Sequence, residues 1–323
     1  MKKNILRVVI FLLAIVLVYI GINSISKNEK KAEGYYRIVV LSDTHLPSKT
    51  FNNKDKTKQD KIIVAKNKVL DDINNWNDVG EIAVLGDLVG NTGTDKEYAY
   101  AYNYFSKLHK PTFFIVGNHD YIYKDELSLS GHYAKGDEGA RSVKLGKFKK
   151  TFGMSKLFYS QKIEGYLLVF LSVDSLTSKY LTEISSKQLG WLREILKKNA
   201  EVPTIIFFHA PLKGTLSNYN KNANKPNFIA QPENAIDEIL KNNKQIVLWV
   251  SGHTHTPATN PSFASDINLY KGRVLNVHNA DMERTTIWTN SLFLYPDKIV
   301  IRTFNHKTEK WMQELERTIP IHR

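Results

Sequence analysis

Five times in this chain a short apolar run stops at residue types that bind metal ions. Val39-Val40-Leu41 precedes Ser42-Asp43-Thr44-His45, and Ile82 to Leu85 precedes Gly86-Asp87. Phe113 to Val116 precedes Gly117-Asn118-His119-Asp120, Ile205 to Phe208 precedes His209, and Leu248 to Val250 precedes Ser251-Gly252-His253-Thr254-His255. A buried strand that ends this way delivers polar side chains to the rim of a sheet, and in α/β sheets the carboxyl-end rim is where sites form. Residues two apart in extended backbone point the same way. Asp43 with His45, and His253 with His255, are therefore each expected to aim two ligand atoms into one crevice. Gly86, Gly117 and Gly252 are expected to allow tight turns and close backbone approach.

The ligand inventory is Asp43, His45, Asp87, Asn118, His209, His253 and His255. Imidazole with carboxylate or amide oxygen suits zinc, iron or manganese. Seven ligands exceed what one ion takes, and one carboxylate can join two ions. Two ions roughly 3.5–4 Å apart form a clamp for in-line attack on phosphorus. A lone Asp-x-His or Gly-Asn-His arises often by chance. Five such stretches, each at a strand end, do not. The chain has no cysteine, which excludes disulfides, thiolate catalysis and zinc–thiolate sites and leaves only nitrogen and oxygen ligands.

The 323 residues allow one large α/β domain or two smaller ones. A formal net charge of +13 fits anionic partners as well as plain solubility. The lysines are spread out, and no basic, aromatic-interleaved stretch forms a nucleic-acid platform. Lys2, Lys3 and Arg7 precede an apolar run from Val8 to Ile22, near the lower length limit of about 17 residues for a spanning helix. Ile5, Leu6 and a snorkelling Arg7 bring it into range. The exit, Gly21 to Ser26, has no small-residue cleavage pattern, which favours an uncleaved membrane anchor over a cleaved signal. The positive-inside rule places the N-terminus in the cytoplasm and the remainder outside the cell membrane, against the pull of Lys27, Lys30 and Lys31. The expected organisation is an anchor or signal over residues 1–26, a linker over 27–35, the main domain over 36–305 and a C-terminal extension packing on it over 306–323.

Past Tyr36, strands and helices alternate, which predicts a sheet covered by helices. Helices are expected at Asp60 to Trp76, Asp95 to Leu108, Ser186 to Asn199 and Pro232 to Asn242. Short strands are expected to close the chain at Arg273 to Val277, Ile287 to Leu294 and Lys298 to Phe304. Tyr121 to Gly153 shows no period and reads as an excursion over the site, and Lys213 to Gln231 reads as a loop.

Asp43-Thr44-His45, Gly86-Asp87, Gly117-Asn118-His119-Asp120, His209 and Gly252-His253-Thr254-His255 resemble the signature of calcineurin-like metallophosphoesterases. The resemblance spans roughly Tyr36 to Phe304. Thr151-Phe152-Gly153, Asp174-Ser175, Gln188 to Leu192 and His209-Ala210-Pro211 look most like the phosphodiesterase-like and exported branches. The resemblance implies an α/β fold, a four-layer α/β/β/α sandwich of two mixed sheets flanked by helices. It implies two divalent or trivalent transition-metal ions, manganese, iron or zinc. Asp43, His45 and His255 would hold one, and Asn118, His209 and His253 the other. Asp87 would bridge them, beside a metal-bridging hydroxide that serves as nucleophile. His119 would contact the phosphate or protonate the leaving oxygen.

Protein Ser/Thr phosphatases of this family follow the bridging Asp with a second Asp and an Arg, where this chain has Gly90 and Asn91. That departure argues against a protein phosphatase and leaves phosphate contact as the role of His119, with Asp120 as a candidate to polarise it. His278, at another strand end, fits a supporting or a purely structural role. The expected substrate is a phosphorylated small molecule, lipid or polymer, cleaved as a phosphodiester or non-protein phosphomonoester. Two other readings compete: a non-catalytic metal-binding scaffold of the same fold, and a basic surface-binding module. The sequence sets no oligomeric state.

Overall fold

Alternation along β1 (Tyr36–Leu41) shows how the layers form. Ile38 and Val40 face one way and Val39 and Leu41 the other, and all four are buried. A strand covered on both faces belongs inside a layered α/β protein. The computed structural model describes residues 34–49, 55–127, 132–217 and 221–322. The expected anchor and most of the linker lie outside the described residues. Among the described residues no helix is long and apolar enough to cross a membrane.

The first half of the domain runs β1, α1 (Lys56–Asn75), β2 (Val79–Val84), α2 (Asp95–Phe105) and β3 (Thr112–Phe114). Next come a hairpin of β4 (Tyr123–Leu127) and β5 (Tyr133–Lys135), then α3 (Glu138–Thr151). The second half holds β6 (Tyr159–Ile163), β7 (Tyr166–Phe170), α4 (Ser186–Lys197), β8 (Thr204–Phe207), α5 (Glu233–Asn242) and β9 (Ile246–Ser251). It closes with β10 (Leu269–Tyr270), β11 (Val274–His278), β12 (Trp288–Leu294), β13 (Lys298–Asn305) and β14 (Lys310–Pro320).

Two six-stranded mixed sheets result. The first has the order β14-β13-β12-β1-β2-β3, with β1, β2 and β3 parallel and the other pairings antiparallel. The second has the order β10-β11-β9-β8-β7-β6, parallel from β11 to β7 and antiparallel at both edges. Alternate side chains of both sheets, among them Val40, Leu85, Phe170, Phe207 and Val250, form one buried core between them. The opposite faces, with Leu41, Val84, Val169 and Phe208, cluster with helix residues such as Val69, Ile73, Leu192 and Ile239. The architecture is the expected four-layer α/β/β/α sandwich.

Three stretches differ from the sequence reading. Helix α1 begins four residues earlier than expected, because Asp55 caps it by accepting a hydrogen bond from Lys58 N at 3.1 Å. The span 121–153 is not patternless: it holds the β4–β5 hairpin and α3. The buried stripe of α3 is Arg141, Lys144, Leu145 and Phe148, spaced as a helix requires. Half of it is cationic, so apolar periodicity could not reveal it. Within residues 306–323, β14 pairs antiparallel with β13 and forms the edge of the first sheet.

Candidate metal centre

The candidate ligands follow the carboxyl ends of five strands. Asp43 lies past β1, Asp87 past β2, Asn118 past β3, His209 past β8, and His253 with His255 past β9. The paired residues are not extended, contrary to the sequence expectation. Asp43, His45, Asp87, His253 and His255 have φ of 48°, 42°, 51°, 65° and 53°. Left-handed backbone at a non-glycine residue costs on the order of 1–3 kcal/mol and persists only where surrounding structure enforces it. Here it turns successive side chains inward within very few residues. Two glycines make room. A Cβ on Gly117 would collide with the backbone nitrogen and Oδ1 of Asp87, and one on Gly252 with Ser42 Oγ and Asp43 Oδ2.

The ligand atoms gather in two groups that share one residue. Asp43, His45, Asp87 and His255 offer atoms all within 4.8 Å of one another, and Asp87, His209 and His253 do the same. Asp87 Oδ1 accepts a hydrogen bond from His119 N at 2.8 Å. Its Oδ2 lies 3.4 Å from His209 Nε2 and 3.8 Å from His45 Nε2, so one oxygen faces both groups. Asn118 donates from Nδ2 to Tyr123 Oη at 3.3 Å, which leaves its Oδ1 3.2 Å from His209 Nε2. All seven candidate ligands and His119 therefore converge where the carboxyl ends of strands from both sheets meet.

Each inward nitrogen is fixed by what the outward one meets. His45 Nδ1 faces Val89 O at 3.2 Å, His209 Nδ1 faces Leu85 O at 2.8 Å, and His253 Nε2 faces Asn227 O at 2.8 Å. A carbonyl only accepts, so those outer nitrogens carry a proton, which in a neutral ring leaves the inner nitrogen with a bare lone pair. Behind His255, Nδ1 is 3.7 Å from Asp281 Oδ2, and Arg284 Nη2 donates to the His255 carbonyl at 2.7 Å. Such outer partners orient imidazoles for metals and raise their basicity.

The inner nitrogens point at each other. His45 Nε2 is 3.1 Å from His255 Nε2, and His253 Nδ1 is 3.0 Å from His209 Nε2. Lone pairs converging at that range need a proton or a cation between them. Asp43 Oδ1 is buried and makes no hydrogen bond, although Nε2 of His255 stands 3.2 Å away. Asp43 Oδ2 is already engaged by Ser42 Oγ at 2.5 Å and His253 N at 2.8 Å. An orphaned carboxylate oxygen among convergent imidazoles fits a divalent cation, and the nitrogen–oxygen donor set suits zinc, iron or manganese.

The electrostatics show the same demand for positive charge. Burial acts to raise the Asp87 carboxyl, but His209, His119 and His45 outweigh it and hold it well below the usual range. Burial likewise opposes ionisation of Asp43, yet His255 brings it down to about 2. Burial pushes His209 down, and the Asp87 charge overrides it and raises the imidazole to about 9. His253 falls to about 3 through burial and then the neighbouring His209. His119 falls to about 4 through burial and then Lys49. Of these shifted imidazoles only His209 is raised, beside two buried carboxylates.

Asp120 does not polarise His119. Its two oxygens accept from the backbone N–H groups of Asp87, Leu88, Val89 and Gly117 at 2.8–3.3 Å, stapling two ligand loops together. The Nδ1 of His119 instead meets Asn91 O at 2.6 Å. His278 lies in neither ligand group; its Nε2 faces Thr215 O at 2.7 Å.

Several neighbours have no motif to announce them. Lys66 is buried, and its Nζ donates to His45 O at 2.9 Å, Pro47 O at 3.0 Å and Glu283 Oε2 at 2.7 Å, fixing the loop that carries His45. Lys49 N donates to Glu283 Oε1 at 2.9 Å, and the carboxylates of Asp87 and Asp43 act on its ammonium. Tyr123 and Tyr133 from the hairpin pack on His119, with ring centres 5.1 and 5.4 Å away, and Phe228 packs on His253 at 5.5 Å. The two stretches without a motif, 121–153 and 213–231, therefore both reach the site.

The sequence model of the calcineurin-like phosphoesterase family matches residues 36–257. No curated protein matches the chain. Among solved structures, a dimetal phosphatase from Danio rerio superposes with a TM-score of 0.54 at 13% identity, covering 89% of this chain and 99% of that one. A purple acid phosphatase, PPD1, from yellow lupin (Lupinus luteus) seeds superposes with a TM-score of 0.58 at 11% identity, covering 88% of this chain and 54% of that one. At these identities the likeness is one of fold.

Proposed function

This chain belongs to the calcineurin-like phosphoesterase family and is a metal-dependent phosphohydrolase, and from that premise we propose that it cleaves a phosphodiester or phosphomonoester of a non-protein substrate. The centre is built by Asp43, His45 and His255 on one side and Asn118, His209 and His253 on the other, with Asp87 between. The observation that carries this reading is the position of Asp87 Oδ2, 3.4 Å from His209 and 3.8 Å from His45, where one carboxylate serves both groups. Divalent transition-metal ions at the two groups would supply Lewis acidity, toward phosphoryl oxygens and toward water.

The chain's own residues complete the site. His119 N holds Asp87 in place at 2.8 Å, and the His119 ring stands beside the ligands, its centre 5.0 Å from that of His45. Lys49 adds a cation beside the carboxylates that a phosphate approaching the centre would meet. No guanidinium stands at positions 90 and 91, so bidentate capture of a phosphorylated side chain is missing. Tyr133, packed on His119, and Phe228, packed on His253, would contact the alcohol portion of the ester. The apolar N-terminal run supports an anchor that leaves the catalytic domain outside the cell membrane.

The test is metal analysis alongside a substrate screen. Purified protein should carry close to two ions per chain, as a two-metal clamp requires. It should hydrolyse bis(p-nitrophenyl) phosphate or p-nitrophenyl phosphate, stop on chelation and recover with manganese, and leave a phosphoserine peptide intact. Full turnover after exhaustive chelation overturns the reading.

A further inference from the structure

The loop that orients His119 is itself held by a carboxylate that no motif marks. Glu97 lies in the first turn of α2 and is buried. Part of its role is local, because it forms a capping box with Thr94. A capping box needs one backbone N–H on the glutamate. Glu97 takes four in succession: Asn91 N on Oε1 at 2.6 Å, and Thr92 N, Gly93 N and Thr94 N on Oε2 at 3.3, 3.1 and 3.0 Å. It also accepts from Asn91 Nδ2 at 3.1 Å and Thr94 Oγ1 at 3.1 Å. Two further contacts fix the loop. Tyr133 Oη donates to Asn91 Oδ1 at 3.0 Å, and Lys144 Nζ donates to Thr92 O at 2.6 Å.

The peptide unit joining Asn91 and Thr92 lies between two partners. Its N–H points at Glu97, and its carbonyl accepts the proton of His119 Nδ1 at 2.6 Å. A carboxylate on the N–H end polarises an amide and places more charge on its oxygen. That strengthens the hydrogen bond to Nδ1–H, fixes the tautomer and makes Nε2 a better acceptor. We propose that Glu97 is a positioning residue for His119, acting through the Asn91–Thr92 peptide. The inference rests on the phosphohydrolase reading above for its kinetic consequence and on geometry alone for its structural one.

The test pairs Glu97→Gln and Glu97→Ala with His119→Ala in the full-length chain. In metal-free protein labelled with 15N histidine, His119 should show the Nδ1–H tautomer in the parent and a shift toward a mixture in Glu97→Ala, with Glu97→Gln between. With metal bound, Glu97→Ala should lower kcat by about tenfold at unchanged metal content, the scale of other outer-partner losses. That loss should vanish in the His119→Ala background, because Glu97 acts only through the ring. An unchanged tautomer in both Glu97 variants overturns the inference, as does a loss undiminished without His119. If the parent hydrolyses no ester with any metal, the functional reading fails, and the tautomer measurement still decides the role of Glu97.

Discussion

Two buried carboxylates near opposite ends of β2 differ in what surrounds them. Asp87, past the carboxyl end, faces imidazoles, and its neighbour Asp43 keeps an oxygen with no hydrogen bond. Glu81, near the start of β2, points between the sheets and is fully served. Gln161 Nε2 donates to both its oxygens at 2.9 Å, and Tyr36 Oη donates at 3.3 Å. Their acidities move apart accordingly. Asp87 is held well below the carboxylate range, whereas burial, against only neutral donors, pushes Glu81 up to about 7. Burial alone makes a carboxyl reluctant to ionise, and cationic partners reverse that. One edge is built to receive positive charge, and the other only to satisfy a buried polar group.

The sharpest way to break this contrast is Asp87→Ala. It should strip both ions and lower kcat/KM by on the order of a thousandfold or more, several kcal/mol of lost charge stabilisation. Metal analysis checks it, and a full complement of ions in the variant would show that Asp87 does not join the two groups. Next in size is the pH dependence of metal uptake. His209 stands at about 9 without metal, so below that pH an ion must displace its proton. Affinity for manganese should therefore rise about tenfold per pH unit from 7 to 9 and level off above. A competition titration reads the slope, and a flat profile would mean that His209 is not a ligand.

The smallest effect belongs to the other edge. Glu81 binds its proton more tightly folded than unfolded, so its stabilising contribution is complete below about 4.5 and fades as pH rises through about 7. Glu81→Gln should melt several degrees higher than the parent at pH 8, at about 2–4 °C per kcal/mol for a domain of this size, and no higher at pH 4. Metal content and turnover should not change. If they do, the two edges are coupled.

The sequence revealed most of the strands, four of the five α-helices among the described residues and the seven convergent residues because apolar runs and ligand types leave a pattern in side chains. What it hid was carried by backbone. The left-handed turns at Asp43, His45, Asp87, His253 and His255 follow from loop closure, not from residue type. The carbonyls of Val89, Leu85, Asn227 and Asn91 that fix the imidazoles belong to residues whose side chains say nothing about it. Lys66, Arg141 and Lys144 are buried cations that hold carbonyls, and a search for apolar periodicity counts them as surface. Strand β14 carries four charged residues among its eleven, as an exposed edge tolerates, and so has little strand signal.

The pairing of β1 with β12 sets Tyr36 opposite Leu294. During synthesis β1 leaves the ribosome long before that partner exists, while β2 and β3 follow it promptly. The loop bearing Asp43 and His45 is anchored by β1, and Met282 N binds the Asp43 carbonyl at 3.1 Å. The metal centre is thus among the last parts of the nascent chain that can be finished. A premature stop just before β12 would leave every candidate ligand in the polypeptide and remove the partner of the strand that seats the first of them.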